Sequence, residues 1–129
     1  VKRGLTRRLR AAGLAVLAGS WLLALAPAGG AQAAPTRCAG HQVRALPFPA
    51  GAVHVFRRHG YVCALTVAAQ PGAARPVSVS VQARGSLPVT DSGRRSHRAG
   101  PVTVHTGHRC VRIAGSVGTQ SVRTGWILC

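Results

Sequence analysis

The chain has 129 residues, with 17 Lys and Arg against a single acidic residue, six His, four Cys and no Met, and a formal net charge of +16. A lone carboxylate, Asp91, supplies neither the carboxylate pair of most glycosidases nor the oxygen cage that Ca²⁺ or Mg²⁺ prefers. The length accommodates one modest domain rather than two.

The first ten residues, VKRGLTRRLR, are basic, and AAGLAVLAGSWLLALA after them is apolar and uncharged. With Ala31-Gln32-Ala33 as a small-x-small cleavage site, this is the order of a secretory signal peptide over residues 1–33, whose removal leaves Ala34 first. The apolar run falls short of the roughly 20 residues of a spanning helix, and Pro27, Gly29 and Gly30 end it, so no membrane anchor is expected after processing. Thr6-Arg7-Arg8 begins like a twin-arginine signal. Arg10, however, stands where that signal wants an apolar residue, which favours general secretion. Val1 at the head of a chain without Met reads as a non-AUG start codon and points to a bacterial gene. Leu87-Pro88-Val89-Thr90 is followed by Asp91 rather than the Gly or Ala of a wall-sorting motif.

Residues 34–129 are expected to form a single secreted, extracellular domain. They hold twelve Arg, no Lys, no Glu and Asp91, a formal charge of +11 with His neutral. Something must offset that self-repulsion, and four Cys in a short exported chain are most simply two disulfides, each typically worth about 2–4 kcal/mol. Three pairings are open in principle. Cys38–Cys63 and Cys110–Cys129 are favoured because each closes a local loop across neighbouring strands.

The hydrophobic pattern of this domain is β throughout. Val53 to Phe56 and Tyr61 to Ala68 flank Arg57-Arg58-His59-Gly60, a connector that predicts a hairpin, with Tyr61, Cys63, Leu65 and Val67 on one face. Val77 to Arg84 alternates strictly: Val77, Val79, Val81 and Ala83 face one side and Ser78, Ser80, Gln82 and Arg84 the other. Val102 to Thr106, Cys110 to Val117 and Ser121 to Leu128 follow, separated by Thr106-Gly107-His108 and Gly118-Thr119-Gln120. Short strands at such intervals predict an all-β fold, a sandwich or small barrel of antiparallel strands, of which a small immunoglobulin-like sandwich of six to seven strands is favoured. Alternation creates one conflict: with Val111 and Ile113 in the core, Cys110 faces away, whereas Cys129 shares a face with Ile127. A bulge near Arg109 or an edge position is needed to reconcile them.

Chemistry-bearing groups are sparse. His105, His108 and Cys110, or Cys38 and His41, match no established zinc spacing, and export makes disulfides the natural fate of the thiols, so no metal or cofactor is expected. The six histidines read as surface or strand residues. Ser92 or Ser96 beside Asp91 lacks a nucleophile elbow. A carboxylate-free phosphodiester cleavage by two His and an Arg fits the composition, yet so many His and Arg produce such combinations by chance, and the chain reads as a non-enzyme. Charge distribution is more informative. Arg94, Arg95, His97 and Arg98 fall within five residues of a predicted loop between Gly93 and Gly100, and Arg57 and Arg58 sit beside His59 at a hairpin tip. Guanidinium forks match phosphate and carboxylate geometry, so these loops are expected to bind an anionic polymer or cell surface. The competing expectation is an inhibitor of a secreted hydrolase, a protein partner plugged by one rigid loop. Trp126, beside Ile127 and Leu128, is expected in the core, and Asp91, next to Ser92-Gly93, in a turn. A monomer is expected.

Gly60-Tyr61-Val62-Cys63, Ser78 to Arg84, Ala99 to Val104 and Gly125 to Cys129 together resemble small, uncharacterised secreted proteins of actinomycetes, a likeness that implies no activity. In architecture alone the chain is also similar to the tendamistat-type α-amylase inhibitors, which are secreted, six-stranded and held by two sequential disulfides. Their Trp-Arg-Tyr inhibitory triplet has no counterpart in this sequence.

Overall fold

The computed structural model describes residues 37–129, and the signal peptide expected over residues 1–33 lies outside them. Eight strands follow in order: β1 (His41–Phe48), β2 (Gly51–Arg58), β3 (Tyr61–Ala68), β4 (Arg75–Ala83), β5 (Val89–Arg95), β6 (Arg98–His105), β7 (Val111–Val117) and β8 (Gln120–Arg123). They form two four-stranded antiparallel sheets, ordered β1-β2-β3-β6 and β5-β4-β7-β8. The fold is the expected all-β sandwich with two disulfides, its two antiparallel sheets facing across one core. The strand count exceeds the six to seven expected.

Between the sheets lies a core of small β-branched residues. Val53 and Val55 of β2, Val62 of β3, Val77, Val79 and Val81 of β4, and Val111 and Ile113 of β7 are all essentially inaccessible to solvent. Strand alternation puts them on the inner faces, and each contributes about 1.5–3 kcal/mol by leaving water. Gly115 of β7 belongs to the same row. A Cβ there would collide with Val53 Cγ2 and Thr66 Oγ1, so the absence of a side chain lets the sheets approach closely at that point.

β3 is buried on both sides, which ordinary alternation does not require. Tyr61, Cys63, Leu65 and Val67 share one face, as expected; that face is the outer one, and Cys38 crosses over it through the Cys38–Cys63 disulfide. Cys38, Cys63 and Leu65, with Phe56 and Val67, make a second apolar cluster outside the main core. The covalent strap thus shields a strand that would otherwise expose apolar side chains.

The Cys110–Cys129 bond is also formed. What resolves the facing conflict is neither a bulge at Arg109 nor a strand edge but the backbone at Leu128, whose φ is +57°. Val111 and Ile127 exchange two backbone hydrogen bonds of 2.8 Å, in register with β7. One residue later the left-handed turn breaks the two-residue alternation and carries Cys129 back to Cys110. Among the described residues no helix is long and apolar enough to cross a membrane.

Candidate functional site

The first basic cluster sits where the sequence predicts a hairpin, but its arginines end a strand rather than fill a loop. Only His59 and Gly60 form the turn, with φ of 49° and 81°, the two left-handed residues of a type I′ connection that matches strand twist. Arg57 Nη2 donates to the Leu128 carbonyl at 3.4 Å, while the Arg58 side chain is exposed and makes no hydrogen bond within the described residues. Tyr61 and His105 meet edge to face, with ring centroids 4.9 Å apart. The amides of Thr106 and Gly107 both donate to the Gly60 carbonyl, at 2.9 and 3.0 Å, and lock the tip to the end of β6.

The second cluster is not the loop expected between Gly93 and Gly100. Arg94 and Arg95 end β5, Arg98 begins β6, and only Ser96 and His97 bend between them. The bend is stitched to the neighbouring connection: Ala68 N donates to His97 O at 2.8 Å and Gly72 N to Ser96 O at 3.1 Å. Arg94 Nη2 donates to the Ala74 carbonyl at 2.8 Å. A groove of about 530 Å³ runs along Ala74, Arg94, Arg95, His97 and Arg98.

Asp91 is likewise not a turn residue. It lies in β5 and accepts two bonds of 3.2 Å from Arg95, while its Oδ2 also accepts 2.7 Å from the amide of Gly100 in β6. Asp91, Gly93 and Arg95 share one face of β5. Because Gly93 has no side chain, the Arg95 guanidinium lies over it, 3.1 Å from where a Cβ would stand. Arg95 and the Gly100 amide hold the Asp91 carboxyl below its usual range, against a smaller opposing effect of burial. One of the expected anion-binding arginines is therefore already neutralised, and the chain's one side-chain carboxylate ties the edge of one sheet to the edge of the other.

The two clusters do not converge. Arg58 pairs with Tyr61 at the start of β3 and Arg98 with Val67 near its end, so they lie a strand's length apart, roughly 20 Å at 3.3 Å per residue. Arg57 and Arg58 mark one end of the sandwich, and Arg94, Arg95, His97 and Arg98 the other.

A third basic group was not anticipated from the sequence. Trp126 is not in the core; it lies half-buried outside the second sheet, with the guanidinium carbons of Arg112 and Arg84 4.3 and 5.6 Å from its ring centroid. The available signal was strand parity, since Arg84 and Arg112 both alternate with core residues. Among the described residues no group of three or more His, Cys, Asp or Glu side chains is placed to hold a metal ion. No family model matches the chain, and neither a curated protein nor a solved structure matches it.

Proposed function

We propose that this is a secreted, strongly basic binding domain, not an enzyme, that engages an anionic polymer or surface. One observation carries the reading: among twelve guanidinium groups in the described residues, only Arg95 has a carboxylate partner. Arg58, Arg84, Arg98, Arg112 and Arg123 donate no side-chain hydrogen bond within the described residues, and their forks are free to take phosphate, sulfate or carboxylate. Such a field attracts polyanions at long range and weakens as salt screens it. The two disulfides suit an oxidising, extracellular setting.

Retention of the oxidised protein on purified bacterial cell walls tests this. Strong retention at low salt and release at about 0.5 M NaCl, where the Debye length is only a few ångströms, is expected. No retention at low salt overturns the reading.

Leu87 supports a second reading, inhibition of a secreted hydrolase. The residue is 85% exposed, beside the exposed Val89, on the loop between β4 and β5. The base of that loop is rigid: Arg84 N donates to Cys110 O at 2.9 Å, Gln82 Nε2 to Ser86 O at 3.0 Å, and Arg109 Nη1 to Ser86 Oγ at 3.0 Å. A pinned loop presenting an apolar side chain has the form of a plug. Binding to a partner that survives 0.5 M NaCl and is lost in Leu87→Ser favours this alternative.

A further inference from the structure

The outer face of the second sheet differs in kind from both ends of the sandwich. Core residues alternate with Ser78, Ser80 and Gln82 on β4, with Arg112, Ala114 and Ser116 on β7, and with Ser121 and Arg123 on β8. The register aligns Ser92, Ser78, Ser116 and Ser121 in one row across all four strands, and the hydroxyls of Ser78 and Ser116 are hydrogen-bonded to each other. Thr90 and Ser80 begin the next row.

Across this hydroxyl-rich surface run three guanidinium groups. Gln82 pairs with Arg112, and Ala114 with Arg123, so Arg84, Arg112 and Arg123 lie on a diagonal, each displaced by two residues on the adjacent strand. Such diagonal neighbours are roughly 7–8 Å apart. Asp91 is on the opposite face of β5, so no carboxylate side chain competes for them. Trp126 orders two of the three. A ring stacked against a guanidinium restricts a flexible side chain before any ligand arrives, and it leaves the N–H rim of the fork free.

We infer that this face, through Arg84 and Arg112 held over Trp126 and through Arg123 beside them on the diagonal, is a binding site for a carboxylated polysaccharide, a polymer of uronic acids. The inference rests on the polyanion reading above and names its site and ligand class. Planar carboxylates fit the guanidinium forks, and the sugar hydroxyls fit the rows of Ser and Thr. Single-stranded nucleic acid fits less well, because it stacks bases on free aromatic faces and the one aromatic ring on this surface is engaged by arginine.

The test uses the oxidised protein and fluorescently labelled alginate, a polyuronate, at about 50 mM NaCl, with polyphosphate and single-stranded DNA as competitors. Arg84→Gln with Arg112→Gln is expected to weaken alginate binding about tenfold or more. Arg37→Gln with Arg44→Gln removes the same charge from exposed positions outside this face and is expected to change it by less than about threefold. Trp126→Leu leaves the charge unchanged and is expected to weaken binding about fivefold. If that variant fails to form its disulfides, the arginine pairs still decide. Equal losses in the two double variants overturn the site while leaving the general polyanion reading intact. Stronger competition by DNA or polyphosphate than by unlabelled alginate overturns the ligand class. Absence of binding to all three polymers at low salt overturns the polyanion reading itself and the site with it.

Discussion

At Asp91 the one side-chain carboxylate of the chain answers two donors on different strands, the Arg95 guanidinium and the Gly100 amide. Both favour the charged form, so the folded state holds this carboxyl below its ordinary value of 3.8. Stability from Asp91 is therefore complete above about pH 4 and is lost as the pH falls through the lower folded value. The pair is partly exposed, which limits its worth, and Asp91→Asn is expected to cost about 1–2 kcal/mol at pH 7. Urea unfolding at pH 7, 4 and 2.5 checks both points. Between pH 4 and 2.5 the wild type should lose more stability than the Asn variant. Parallel losses in the two proteins would show that Asp91 is not the acid-sensitive group.

At the scale of single elements, glycines that look alike in sequence do different work. Gly100 and Gly118 both have positive φ, 92° and 61°. At Gly100 the backbone turns its amide toward Asp91 within an irregular stretch of β6, where the pairing with β3 shifts between Ala64 and Thr66. A Cβ there would stand 2.9 Å from the Ala64 carbonyl and 3.0 Å from Val79 Cγ1, whereas one at Gly118 meets nothing within 4 Å. Gly100→Ala is accordingly expected to destabilise by about 2–4 kcal/mol, from crowding added to backbone strain, and Gly118→Ala by about 1–2 kcal/mol from strain alone. Denaturant midpoints of the two variants measure the difference, and similar losses would refute the enclosed geometry at Gly100.

The same contrast explains what was legible in the sequence. β4 was plain because Val77, Val79, Val81 and Ala83 face a core while their neighbours face water, and a central strand must keep strict parity. β1 and β5 are edge strands, where Pro47 and the turn-like run Asp91-Ser92-Gly93 cost no ladder that a central strand would need. Their local chemistry therefore resembles that of loops, which is why Arg94 to Arg98 read as one. Trp126 was misplaced for a related reason. Ile127 and Leu128 beside it are apolar, which suggests burial, but Ile127 pairs with Val111 of β7, and alternation from that pair puts Trp126 on the outer side. The Cys38–Cys63 and Cys110–Cys129 pairing was legible because both closures are local, whereas the arginine diagonal depends on a register that spans three strands.

For the whole molecule, the balance between one ion pair and twelve guanidinium groups fixes how stability responds to salt. In most domains added salt weakens some attractive surface pairs and some repulsive ones together. Here the described residues offer one such attraction to weaken, Arg95 with Asp91, against repulsion among the remaining arginines on both sheets and at both ends. Raising NaCl from about 10 to 150 mM shortens the Debye length from roughly 30 to 8 Å, which uncouples charges on opposite ends of the sandwich while leaving the partly buried Asp91 contacts less affected. Folding gathers these charges into a small volume, so screening favours the folded state. A gain of about 1 kcal/mol is expected, equivalent to a rise in Tm of about 5 °C for a domain of this size. Thermal unfolding in NaCl at pH 7.5 with the disulfides intact is the measurement, and chloride keeps specific multivalent binding out of it. A Tm that stays flat or falls would mean that the arginines are not repelling one another in the folded state, and it would remove the physical basis for expecting a polyanion to be drawn to this surface.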